Sequence, residues 1–135
     1  MLIFQLTACV DSKMKIQKNI SFAVAFTSCF KQDTVTLSIN NEKVFDKISI
    51  TSDFVTGLTY ASTYHFTKSN ELVVIADKNE KRLPFIGSKK LLVKINRNQI
   101  ESIFEINLAD GRNIIIEGCE LKPKIRQFKN KISVE

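Results

Sequence analysis

Apolar residues recur at every second position in this chain, in short runs broken by turn-forming residues, and nowhere hold a helical spacing. Thr34-Val-Thr-Leu-Ser-Ile39 sets Val35, Leu37 and Ile39 on one side. Successive side chains of a strand point to opposite faces, so a period of two marks a half-buried strand. The alternation returns in Val44–Ile50 and in Leu58–Phe66, where Leu58, Tyr60, Tyr64 and Phe66 share a side. Leu72-Val-Val-Ile-Ala76 is a short continuous run, the pattern of a strand covered on both faces. Leu91–Ile95 follows, after a charged connection at Asp77–Arg82. Between the runs lie Asn40-Asn41, Lys68-Ser-Asn70 and Asn96–Gln99, all rich in residues that tolerate turn geometry. Asp46 falls on the inward parity of its run, which predicts a bulge or an exposed edge there. Strands spaced roughly 8–12 residues apart predict an all-β protein. The expected architecture is a single antiparallel β-sandwich, Ig-like or jelly-roll-like, of about seven or eight strands. Its expected core includes Leu37, Val74, Val93, Ile106 and Ile114.

The clearest local signal is Phe104-Glu-Ile-Asn-Leu-Ala-Asp-Gly-Arg-Asn-Ile-Ile-Ile-Glu-Gly-Cys119. It reads as a hairpin. A loop of Ala109-Asp110-Gly111 would pair Ile106 with Ile114 and Phe104 with Ile116, collecting the apolar residues on one face. A slip of one residue would scatter them over both faces. Such a loop ends in the left-handed region, where Gly111 has no Cβ to clash.

The 135 residues allow one domain. The net charge of +6 is mild and suits an anionic surface without requiring one. Cys9, Cys29 and Cys119 are far apart and lack metal-ligand spacing, so neither a disulfide scaffold nor a metal site is expected. Cys119 reads as a lone thiol near a strand end. No cofactor is implied.

The first residues differ from the rest. Lys15 and Lys18 precede a short apolar run, Ile20 to Phe26, and then Thr27-Ser28-Cys29. A basic start, a greasy middle and small residues before a cut form the layout of a secretory signal. The run is well short of the roughly 18 apolar residues needed to cross a bilayer as a helix. Met14–Cys29 resembles a bacterial lipoprotein signal, which implies cleavage before Cys29 and a lipid on its sulfur. Leu6-Thr7-Ala8-Cys9 matches the same box by letter, but Met1-Leu-Ile-Phe-Gln before it lacks the basic start. On this reading residues 1–29 are a signal or anchor segment, with 1–13 from an early start, and residues 30–135 form the sandwich. The alternative makes both runs N-terminal strands of a cytosolic protein.

Leu37-Ser-Ile-Asn-Asn-Glu-Lys-Val-Phe45, Thr56-Gly57 and the stretch from Phe104 to Ile116 resemble small bacterial lipoproteins with no assigned activity. The resemblance implies an exported binding module on the outer membrane or the periplasmic face, tethered by its lipid and meeting an envelope protein or a glycan.

Candidates for chemistry are few. His65 is the single histidine, and no Ser-containing elbow accompanies it. It reads as a hydrogen-bonded strand residue. Asp46 with Asp53, or Glu101 with Glu105, could pair as acid and base, but sequence spacing alone does not make two carboxylates converge. No enzyme motif appears, so a non-enzymatic role is expected. Tyr60 and Tyr64 share a strand side and could contact a ligand, although aromatic residues on such strands mostly build cores. Lys122, Lys124, Arg126, Lys129 and Lys131 form a basic C-terminal stretch. They could meet an anionic surface; in a cytosolic domain that surface would be nucleic acid. Lysines on an edge strand also prevent edge-to-edge pairing, and Pro123 predicts an edge strand here.

Overall fold

The computed structural model describes residues 20–129. Those residues form ten strands: β1 (Ile20–Phe26), β2 (Asp33–Ile39), β3 (Glu42–Ile50), β4 (Ala61–Phe66), β5 (Glu71–Ala76), β6 (Asn79–Pro84), β7 (Lys90–Arg97), β8 (Ile100–Asn107), β9 (Asn113–Glu117) and β10 (Lys124–Phe128). They make two packed sheets, one of six strands in the order β10-β9-β1-β4-β5-β6 and one of four in the order β3-β2-β7-β8. The all-β sandwich read from the alternation is the fold.

The core lies between the sheets and follows from the period of two. β2 turns Val35, Leu37 and Ile39 inward, β7 turns Leu91, Val93 and Ile95, and both sets are buried. The six-stranded sheet contributes Phe22, Val24, Phe26, Leu72, Val74, Ile114 and Ile116. Phe26 meets Phe30 and Phe45 edge-on, with ring centroids 5.5 and 6.0 Å apart. The five residues expected in the core are all in it. The irregularity expected at Asp46 is also present. Lys47 has φ +51°, the β2–β3 register shifts beside it, and the Lys47 N–H donates to Thr36 Oγ1 at 3.0 Å. The displaced residues lie on an edge strand.

Four expectations change. The stretch read as a signal supplies β1, an inner strand between β9 and β4. Its apolar run is short because it spans a sandwich. The sandwich therefore already includes Ile20–Phe26, ahead of the boundary drawn at residue 30. The segment Asp77–Arg82 is not a connection. It holds a tight turn and most of β6, an edge strand whose charged residues face water. The sheet is not wholly antiparallel, because β1 and β9 pair in parallel through Ala23–Asn113 to Phe26–Ile116.

The fourth change concerns the hairpin. β8 pairs with β7 and β9 pairs with β1 and β10, so the chain crosses between sheets instead of turning back. Asn107 Oδ1 accepts from the Ala109 N–H at 2.9 Å and starts a 3-10 turn over Leu108–Asp110. Gly111 then has φ +149°. Ile106 and Ile114 both reach the core, but from opposite sheets. Gathering apolar residues on one face is satisfied equally by two strands that face each other across a core. The sign of φ expected at Gly111 holds, while the left-handed turn does not.

Candidate functional site

His65 points inward from β4 and is 2% exposed. Its Nε2 faces the Phe85 carbonyl at 2.9 Å and therefore donates to it. That leaves Nδ1 to accept from the Ser21 hydroxyl, which contacts it. Ser21 reaches inward because the β1–β4 register is irregular between Ile20 and Phe22. The imidazole stacks on Phe22 and meets Phe85 edge-on, both at 5.3 Å. A hydroxyl on an imidazole is the start of a nucleophile–base pair. Here both ring nitrogens are occupied, and the ring is enclosed by Phe22, Phe85 and Gly87. The cluster closes this end of the core.

The other end carries the chain's polar cluster. Asp33 Oδ2 accepts from Arg97 Nη2 at 3.0 Å, and its Oδ1 accepts from Asn98 Nδ2 at 2.7 Å. Burial pushes the Asp33 carboxyl up. Hydrogen bonds from Asn98, the Lys31 N–H and Arg97, with the Arg97 charge, more than offset that and hold it below the usual carboxylate range. Arg97 Nη1 also donates to the Glu120 carbonyl at 2.7 Å, and its guanidinium lies 5.0 Å over the Phe30 ring. Nothing in the spacing of these residues announced the cluster, since Asp33 and Arg97 are 64 positions apart.

Beside it Cys29 and Cys119 form a disulfide, with Cα atoms 4.7 Å apart. Two expectations fall with this bond. Cys119 is not a lone thiol. Cys29 is not a lipid carrier, because its sulfur is bonded to another sulfur, and a cut before it would delete β1 from the sheet. The pairing was not legible from a separation of 90 residues. It depends on β1 and β9 running in parallel, which brings their ends together.

The carboxylate candidates do not converge. Asp46 is exposed and pairs with Lys43 at 3.7 Å. Asp53 Oδ1 accepts the N–H groups of Val55 and Thr56 at 2.8 and 3.0 Å, which lowers its pKa and shapes an exposed loop tipped by Phe54 and Val55. Glu101 and Glu105 lie on the solvent side of β8. Among the described residues no three His, Cys, Asp or Glu side chains gather as a metal site.

The basic stretch forms β10, an edge strand as Pro123 predicted. Lys124 pairs with Glu120 and Arg126 with Glu117, each at 3.0 Å. Lys122 and Lys129 are exposed, and Lys131 lies outside the described residues. With two of its cations matched by carboxylates, the stretch is a weak phosphate track.

Tyr60 and Tyr64 are where the structure departs most usefully from expectation. The inward residues of β4 are Ala61, Thr63 and His65. Tyr60, Ser62, Tyr64 and Phe66 therefore face out, on the surface of the six-stranded sheet. Register pairs carry that surface across all six strands. One row runs Arg126, Ile115, Ala25, Ser62, Ile75 and Glu80. The next runs Phe128, Asn113, Ala23, Tyr64, Val73 and Arg82. The middle of the sheet thus shows Ala23, Ala25 and Ser62 beside Ile115, Asn113, Tyr64, Val73 and Ile75, with Arg126 and Phe128 on one rim and Glu80 and Arg82 on the other. Small residues on a central strand leave a trough beside larger neighbours. The half-buried apolar residues at this centre depart from the polar alternation usual on the water side of a sandwich.

No protein-family profile matches the chain, and no curated protein or solved structure is significantly similar to it.

Proposed function

We propose that this chain is an exported, non-enzymatic binding module of the bacterial cell envelope, which meets its partner on the outer face of the six-stranded sheet. The observation that carries the reading is the Cys29–Cys119 bond between two surface loops. Such bonds persist in oxidising compartments and are rare in the reducing cytosol. Tyr60 and Tyr64 suit a binding surface because tyrosine supplies a large amphipathic contact at low entropic cost.

The test is the thiol state of the native protein. In cells lysed into alkylating reagent, Cys29 and Cys119 should resist modification until reductant is added. Alkylation of both sulfurs without reductant would overturn export.

A further inference from the structure

We infer that the partner on the outer face of the six-stranded sheet is a second copy of this chain, held back to back through a two-fold axis parallel to the strands. This rests on the reading that the face is a binding surface, and it names the occupant. In the strand order β10-β9-β1-β4-β5-β6 the axis falls between β1 and β4. It exchanges β1 with β4, β9 with β5, and β10 with β6.

The exchange brings complementary side chains together at the centre of the second row and along the first, while it sets Asn113 against Val73 and Phe128 against Arg82. Ala23 is in register with Tyr64, so each copy lays a phenol ring over the other's small residue. Ile115 and Ile75 flank the central pair in one row and would meet Ile75 and Ile115 of the second copy. Arg126, which Glu117 of its own copy already holds at 3.0 Å, and Glu80 end that row on opposite rims and would approach each other as opposite charges, twice. A surface that matches itself under a two-fold is what an isologous dimer requires. A random apolar face carries no such requirement on which strand holds the alanine and which the tyrosine.

The size agrees. Six strands about 4.8 Å apart and about 20 Å long give a face of roughly 500–600 Å². Two such faces bury about 1,000–1,200 Å², at the lower limit for a specific interface. Its apolar centre and charged rim follow interface anatomy.

Sedimentation equilibrium of the full-length oxidised chain, carrying Cys9→Ser so that no disulfide can join two copies, decides the oligomeric state. A monomer–dimer equilibrium is expected at micromolar concentration. Ala25→Glu sets a carboxylate in the apolar centre and should weaken the dimer by about tenfold or more, with the β-sheet circular dichroism retained. Arg126→Glu and Glu80→Arg should each weaken it, and the two together should restore it. A monomer throughout, an Ala25→Glu protein that dimerises as well as the parent, or a double variant no better than the singles would overturn the inference. In cells, a benzophenone side chain in place of Ile75 separates this from failure of the wider reading. Self-crosslinking supports the dimer. Crosslinking only to another envelope molecule overturns the dimer and leaves the binding face standing. No crosslink at all overturns both.

Discussion

Asp33 is the carboxylate on which one end of the sandwich depends. Its folded pKa lies below the ordinary 3.8, because the hydrogen bonds and the Arg97 charge outweigh burial. A depressed carboxyl contributes stability that is present above the unfolded pKa and is lost as pH falls through the folded one. Urea midpoints should therefore hold down to about pH 4 and then drop. In an Asp33→Asn protein that acid-side drop should be smaller, from a lower starting midpoint. At the opposite end Gly87 lies against the imidazole. A Cβ there would stand 2.6 Å from His65 Cε1, closer than any real contact. Since the ring is fixed by Ser21 and Phe85, Gly87→Ala should destabilise by about 1–3 kcal/mol, read as a shift in denaturant midpoint. Neither residue could be singled out from the chain alone. A carboxylate's partners and a glycine's neighbour are tertiary facts with no periodicity to reveal them.

The strands themselves were far more legible. Val35, Leu37 and Ile39 dictate their strand because no other conformation puts all three on one side, and the misfit of Asp46 located a bulge. What the alternation lacks is any record of which sheet a strand joins. The crossover from β8 to β9 shows this, since its apolar faces are correct and its pairing is not. Tyr60, Tyr64 and Phe66 show the reverse error: the period was clear, but whether the aromatic or the Ala-Thr-His side of β4 turned inward was decided by packing. Gly111 is where the crossover is tested. Its φ of +149° is strained for any side chain, and a Cβ would meet the backbone of Phe128 at 2.7 Å. Gly111→Val should combine backbone strain of about 1–3 kcal/mol with a similar overpacking term. It should also loosen β10 first, which hydrogen exchange of Arg126 and Phe128 amides would detect.

At the scale of the whole molecule, the Cys29–Cys119 disulfide is the one covalent cross-link among the described residues, and it joins distant parts of the chain. Closing so long a segment removes much freedom from the unfolded state, and such bonds typically contribute about 2–4 kcal/mol. Reduction, or Cys29→Ser with Cys119→Ser, should lower the melting temperature by about 4 °C per kcal/mol lost, on the order of 8–16 °C. The parallel contact between β1 and β9 has a consequence for how the chain comes into being. The first described strand sits in the middle of its sheet, and one of its two neighbours is the second-last strand. During synthesis, β1 can find β4 early but must present an open edge until β9 emerges, with Ile116 following its partner Phe26 by 90 residues. Long-range pairing of that kind is slow. The nascent chain therefore stays unfinished until its last strands are delivered, a state compatible with threading through a narrow pore and vulnerable to any neighbour that offers it a strand.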